Sequence, residues 1–155
     1  MIQFLADGLI VVIIVSGALA IWFWTPKPKF EAYCYALMAG LTSLLVAKLL
    51  SIVYSPSMAR PFEQLGEKAG ALYVDNPGFP SDHALFATVI VIAVFALTKR
   101  CWLSIVLASM TLLVCIGRVL ALVHTPLDVI GGVTAGLIGG LWYIARPQIK
   151  TRKRL

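Results

Sequence analysis

The chain has 155 residues, 60% hydrophobic and 13% charged, with a net charge of +6 and a mean hydropathy of +0.91. A water-soluble domain carries about a quarter of its residues as charged types, so this composition excludes one. The positive charge reads as flanks beside anionic lipid and not as a nucleic-acid surface. An integral membrane protein remains, all-helical, in a single domain over 1–155, with membrane lipids around it.

A helix needs roughly 20 apolar residues to cross a hydrocarbon layer about 30 Å thick. Five runs are candidates, predicting a bundle of about five transmembrane helices: Ile2 or Gly8 to Trp24, Tyr33–Tyr54, Ala84–Thr98, Trp102–Val119 and Leu127–Ala145. The third is the shortest, and the turn before it can extend it. Within the first run, "ALA" at Ala18–Ala20 mimics a signal-peptide cleavage site. Its leading "MIQFLAD" holds no lysine or arginine, however, and "IWFW" continues the apolar stretch, so the run is expected to be a retained helix. Cys34, Cys101 and Cys115 are odd in number and lie in or beside helices. They predict packing residues and no disulfide framework.

The basic residues set the expected topology. The tail "RPQIKTRKRL", the Lys99–Arg100 turn and the turn with Lys27 and Lys29 fall on one side, which the positive-inside rule makes cytoplasmic. The N-terminus, the 55–81 connection and the turn near His124 then face outward.

Polar residues that a membrane should exclude gather on that outer face. Arg118 closes an apolar helix, either as a functional group or as a side chain snorkelling to the interface. Next come His124 and Asp128. "TPLD" reads as a helix start with Thr125 as N-cap, Pro126 at the first position and Asp128 at the third. Asp128 can therefore cap, and it also lies about one turn from His124, able to accept a ring N–H. "PSDH" repeats the device: Ser81 can cap the third run, leaving Asp82 and His83 in its first turn. His83 alone is compatible with an ordinary boundary histidine. Together with Arg60 in "MARPFEQLG", these residues place two arginines, two histidines, a serine and helix N-termini on one face. That set describes an anion site suited to phosphate.

"RPF" at Arg60–Phe62, "PSDH" at Pro80–His83 and "RVLALVHTPLD" at Arg118–Asp128 resemble the three signature motifs of the type 2 phosphatidic acid phosphatases. The third motif, R-x5-H-x3-D, matches in full, including the preceding Gly117. Asp82 stands where many members have glycine, a form similar to the bacterial undecaprenyl-diphosphate phosphatases of the family. The resemblance covers about Lys48 to Asp128. The family's first motif usually has a lysine seven residues before its arginine; here that position is Val53, and the nearest upstream lysine is Lys48. The family commonly has six helices, one more at the N-terminus than the five counted here.

The resemblance implies a membrane lipid phosphatase acting through a phosphohistidine. His124 is the nucleophile, Asp128 orients it, and His83 serves as acid and then base. Arg60, Arg118, Ser81 and Lys48 hold the phosphoryl group. No cofactor or metal is expected, since the histidines and carboxylates lack ligand spacing. The expected substrate is a lipid (di)phosphate, first undecaprenyl diphosphate, second phosphatidate or phosphatidylglycerophosphate. A non-catalytic lipid-binding or scaffold protein is the alternative of another class, disfavoured because a scaffold needs neither histidine nor Asp128.

Overall fold

The computed structural model describes residues 1–54, 60–74 and 78–144. Its long elements are helices: α1 (Phe4–Trp24), α2 (Lys29–Val53), α4 (Asp82–Thr98), α5 (Cys101–Leu120) and α6 (Pro126–Ile144), with a single turn α3 (Pro61–Gln64) between α2 and α4. Four of them are long and apolar enough to cross a membrane, and α4, at 17 residues, is the shorter apolar fifth. The all-helical membrane bundle expected from composition is therefore what the chain forms. Observed bounds differ from the expected runs by a few residues at the ends. The largest difference is at α2, which starts at Lys29 because Pro28, extended and without an amide proton, precedes it.

α4 lies at the centre, packed against α1, α2, α5 and α6. Its neighbours turn large apolar side chains outward, such as Phe23, Leu45 and Ile105, the distribution expected where lipid replaces water. Several hydroxyls inside the bundle are satisfied locally: Thr88, Thr98 and Thr111 each donate to the carbonyl four residues back.

Small residues bring α6 close to its partners. A β-carbon on Gly132 would stand 2.3 Å from the Ser81 carbonyl oxygen, and one on Gly136 would stand 2.8 Å from the Thr88 side chain. On its other flank, Gly139 meets Ser43 and Ala39 of α2. This close approach sets the start of α6 beside the start of α4, where the Ser81 amide donates to the Asp128 carbonyl at 2.9 Å.

The helices run up and down, so two opposite ends can be told apart. At one, Arg100 stacks on Trp24 and Lys29 on Trp22, which brings both basic turns together. The tail from residue 145 onward lies outside the described residues. At the other end meet the starts of α1, α4 and α6 and the finish of α5, with Tyr54, after α2, edge-on to Phe79 at 4.9 Å.

Candidate active site

The second end holds a cavity of about 150 Å³ lined by Arg60, Leu72, Tyr73, Val74, Gly78, Pro80, Asp82, His83, Arg118 and His124. Local chain chemistry delivers each functional group. α5 ends where Leu122 takes a φ of +60°, uncommon for a residue with a β-carbon, and its carbonyl accepts the Phe62 amide at 3.0 Å. That turn directs His124 into the cavity. α6 then starts with the expected capping box: the Asp128 amide donates to Thr125 Oγ1 at 3.2 Å, and the Thr125 amide donates to Asp128 Oδ2 at 2.7 Å. The same Oδ2 lies 3.5 Å from His124 Nδ1, an ion-pair separation slightly too long for a formed hydrogen bond. Asp128 stands behind the imidazole and does not line the cavity. With Nδ1 turned to Asp128, Nε2 is the ring nitrogen left for a substrate.

Arg60, expected to hold the phosphoryl group, is buried and lines the cavity. Its Nη1 donates to the Val123 carbonyl and its Nη2 to the Val74 carbonyl, both at 2.7 Å, with the guanidinium 5.2 Å over Tyr73. Gly78, at φ +83°, packs against the same guanidinium. Arg118 is 2% exposed, which rules out the snorkelling alternative. It donates through Nη1 to Asp7 Oδ1 at 2.7 Å and to the Leu72 carbonyl at 2.8 Å.

Two of the expected phosphate-holding residues do not line the cavity. Ser81 occupies the N-cap position of α4, but its hydroxyl makes no cap bond; it is fully buried, without a partner among the described residues, and does not line the cavity. Its backbone, bonded to Asp128 and Leu85, is what locks the two motifs together. Lys48 is exposed on α2 and is not among the residues that line the cavity, so the structure does not bring it there. Residues 55–59, between Lys48 and Arg60, lie outside the described residues.

Asp7 is the residue that sequence reasoning missed. It joins Arg118 and approaches His83 Nε2 at 3.8 Å. Its signal was available: a single carboxylate at the edge of an apolar run. No group of three or more His, Cys, Asp or Glu able to hold a metal occurs among the described residues.

A family model described as the PAP2 superfamily matches residues 5–152. The chain belongs to the PAP2 superfamily. Among named relatives of this PAP2 chain is YbjG of Escherichia coli (strain K12), a candidate undecaprenyl-diphosphatase by name. It is 32% identical over 143 residues, covering 89% of this chain and 68% of YbjG. The undecaprenyl-diphosphatase BcrC of Bacillus subtilis (strain 168) is 27% identical over 125 residues, 81% of this chain and 63% of that protein. BcrC of Bacillus licheniformis, named a bacitracin transport permease protein, is 30% identical over 145 residues, 92% of this chain and 64% of its own length. The chain thus spans about two thirds of the length of these relatives. No solved structure matches significantly. PAP2 membership and these names support a multi-pass membrane lipid phosphatase.

Proposed function

We propose that this PAP2 protein hydrolyses undecaprenyl diphosphate to undecaprenyl phosphate and inorganic phosphate, through a phosphohistidine on His124. The observation that carries the reading is the convergence of Arg60, Arg118, His83 and His124 on one cavity, with the Asp128 carboxylate 3.5 Å behind the nucleophile. The cavity, about 150 Å³ and lined by two arginines and two histidines, suits a phosphoryl headgroup better than a polyprenyl tail. The tail stays among the exposed apolar side chains of the bundle.

In the first step His124 Nε2 attacks the terminal phosphorus. The N–P bond forms, the anhydride P–O bond breaks, and His83 protonates the departing lipid phosphate oxygen. Asp128 holds the Nδ1 proton and stabilises the imidazolium. In the second step His83 takes a proton from water, the water oxygen bonds to phosphorus, and the N–P bond breaks to release phosphate. Arg60 and Arg118 meet the charge on the equatorial oxygens with planar donors. Charge stabilisation thereby rests on guanidinium groups, and turnover is expected to persist in EDTA.

The cavity end is assigned to the outer membrane face, since Lys27, Lys29, Lys99 and Arg100 lie at the opposite end. Phosphate release from undecaprenyl diphosphate, phosphatidate and phosphatidylglycerophosphate by purified protein, with and without chelator, tests the reading. Turnover of the diphosphate well above both monoesters is the result expected; equal or greater monoester turnover would overturn the substrate.

A further inference from the structure

We propose that Asp7 is a positioning residue, which holds Arg118 as a phosphate clamp and ties it to the loop that walls the cavity. This inference rests on the reading of the cavity as a phosphate site. Asp7 Oδ1 accepts Arg118 Nη1 at 2.7 Å, and Oδ2 accepts the Leu72 amide at 2.9 Å. Arg118 Nη1 also donates to the Leu72 carbonyl at 2.8 Å, closing a ring of three residues from α1, α5 and the 67–74 loop.

The donor count shows what the ring achieves. A guanidinium has five N–H groups in a rigid fork. Asp7 and Leu72 take both on Nη1, which leaves the Nε–Nη2 edge for another ligand. Nε is buried and has no partner among the described residues. A buried donor in that state is costly, and an anion drawn against this edge would satisfy it. Asp7 thus supplies the counter-charge that a buried arginine requires while keeping the opposite edge available. The same oxygen stands 3.8 Å from His83 Nε2, so one carboxylate spaces two cavity groups.

The backbone is built for this approach. The first turn of α1, Phe4–Gly8, is wound as a π-helix, a geometry frequent at functional sites. Beside Arg118, Gly117 admits that turn, since a β-carbon there would lie 2.9 Å from the Ala6 nitrogen.

A double-mutant cycle on the full chain separates positioning from mere helix docking. Asp7→Asn, Asp7→Glu, Arg118→Lys and both Arg118→Lys double variants are compared in kcat/KM and in vanadate affinity, the latter read as protection against thermal unfolding. Outer partners that orient metal ligands are typically worth about 10- to 100-fold, and the same scale is expected for Asp7 on Arg118. Asp7→Asn is expected to cost that much in kcat/KM and to weaken vanadate in parallel, with Asp7→Glu recovering most of both. In the Arg118→Lys background Asp7→Asn should add less than about threefold. Additive losses, or an unchanged vanadate affinity beside a reduced rate, overturn the proposal. If Asp7→Asn does not fold, Asp7→Glu decides by whether rate and vanadate affinity move together: a reduced rate beside an unchanged vanadate affinity overturns the proposal. Wild type that binds vanadate but spares undecaprenyl diphosphate refutes only the substrate, and the vanadate cycle still decides on Asp7. Wild type that binds no vanadate refutes both.

Discussion

Nδ1 of His124 lies 3.5 Å from Oδ2 of Asp128, and that same oxygen accepts the Thr125 amide at 2.7 Å. One carboxylate therefore caps α6 and faces the imidazole, so a change at Asp128 acts on both fold and chemistry. In Asp128→Asn the amide oxygen can keep this position, and with it the cap and the ring contact, but it carries no charge to stabilise the imidazolium; with the NH₂ group there instead, both contacts are lost and only the wrong tautomer fits. The loss in kcat should approach the scale of the equivalent change in a Ser-His-Asp triad, on the order of 10⁴-fold, with stability lowered by no more than about 1 kcal/mol. Phosphate release and thermal unfolding measure the two separately; a loss under tenfold removes the orienting role.

The two histidines should separate by step. His124→Ala leaves no nucleophile, so acid-labile labelling from a radioactive phosphate ester is expected to vanish. His83→Ala keeps the nucleophile but loses the acid and base. With p-nitrophenyl phosphate, whose leaving group needs no proton, the phosphoenzyme should still form and then accumulate. Rapid quench distinguishes the cases, and a labelled His124→Ala protein would assign the nucleophile elsewhere.

Arg60 lines the cavity and also braces the backbone around it. Both its terminal nitrogens hold backbone carbonyls at 2.7 Å, which fixes Val123, next to His124, and Val74 on the loop. Lysine keeps the charge but cannot span two acceptors. Arg60→Lys is expected to destabilise the fold by roughly 1–3 kcal/mol, the worth of two such bonds, and to raise KM more than it lowers kcat. A variant of normal stability and normal KM contradicts this arrangement.

What the sequence disclosed follows the range of each interaction. The apolar runs and the "TPLD" capping box depend on residues a few positions apart, and they stand where expected. Arg60 reaches Val123 across 63 positions and Arg118 reaches Asp7 across 111, partnerships that no local spacing encodes. Asp7 was also hidden by its setting, in a leading segment examined for a signal peptide's positive charges. Ser81 carried the right side chain for a cap, but the close seat of Gly132 commits its backbone to α6 and leaves the hydroxyl enclosed without a cap bond. Lys48 was only the nearest lysine upstream of a motif position that holds Val53, and the helix that bears it exposes it.

Packing of α6 on α4 should govern activity from outside the cavity. A β-carbon at Gly132 would meet the Ser81 carbonyl at 2.3 Å, and backbone cannot swing aside as a flexible side chain can. Gly132→Val is expected to push the starts of α4 and α6 apart, with turnover lost and the melting temperature reduced. Gly40, in α2, has nothing within 4 Å of its added β-carbon. Gly40→Ala should leave turnover unchanged and stabilise the helix by up to about 1 kcal/mol. Equal behaviour of the two variants would mean that the glycine contacts of α6 do not set the site.

The orientation of the cavity is testable through exposed positions at the two ends. Glu67 lies on the loop at the cavity end, and Lys27 lies in the turn between α1 and α2 at the other; both are exposed. With Cys34, Cys101 and Cys115 replaced by alanine, Glu67→Cys should react with a membrane-impermeant maleimide in intact cells. Lys27→Cys should react only after permeabilisation. The physical basis is the retention of short lysine- and arginine-bearing turns on the cytoplasmic side. On the proposed orientation the cavity opens to the outer leaflet, the leaflet from which a diphosphate lipid would have to reach it. The opposite labelling pattern would turn the cavity toward the cytoplasm, and the enzyme would then draw its substrate from the inner leaflet.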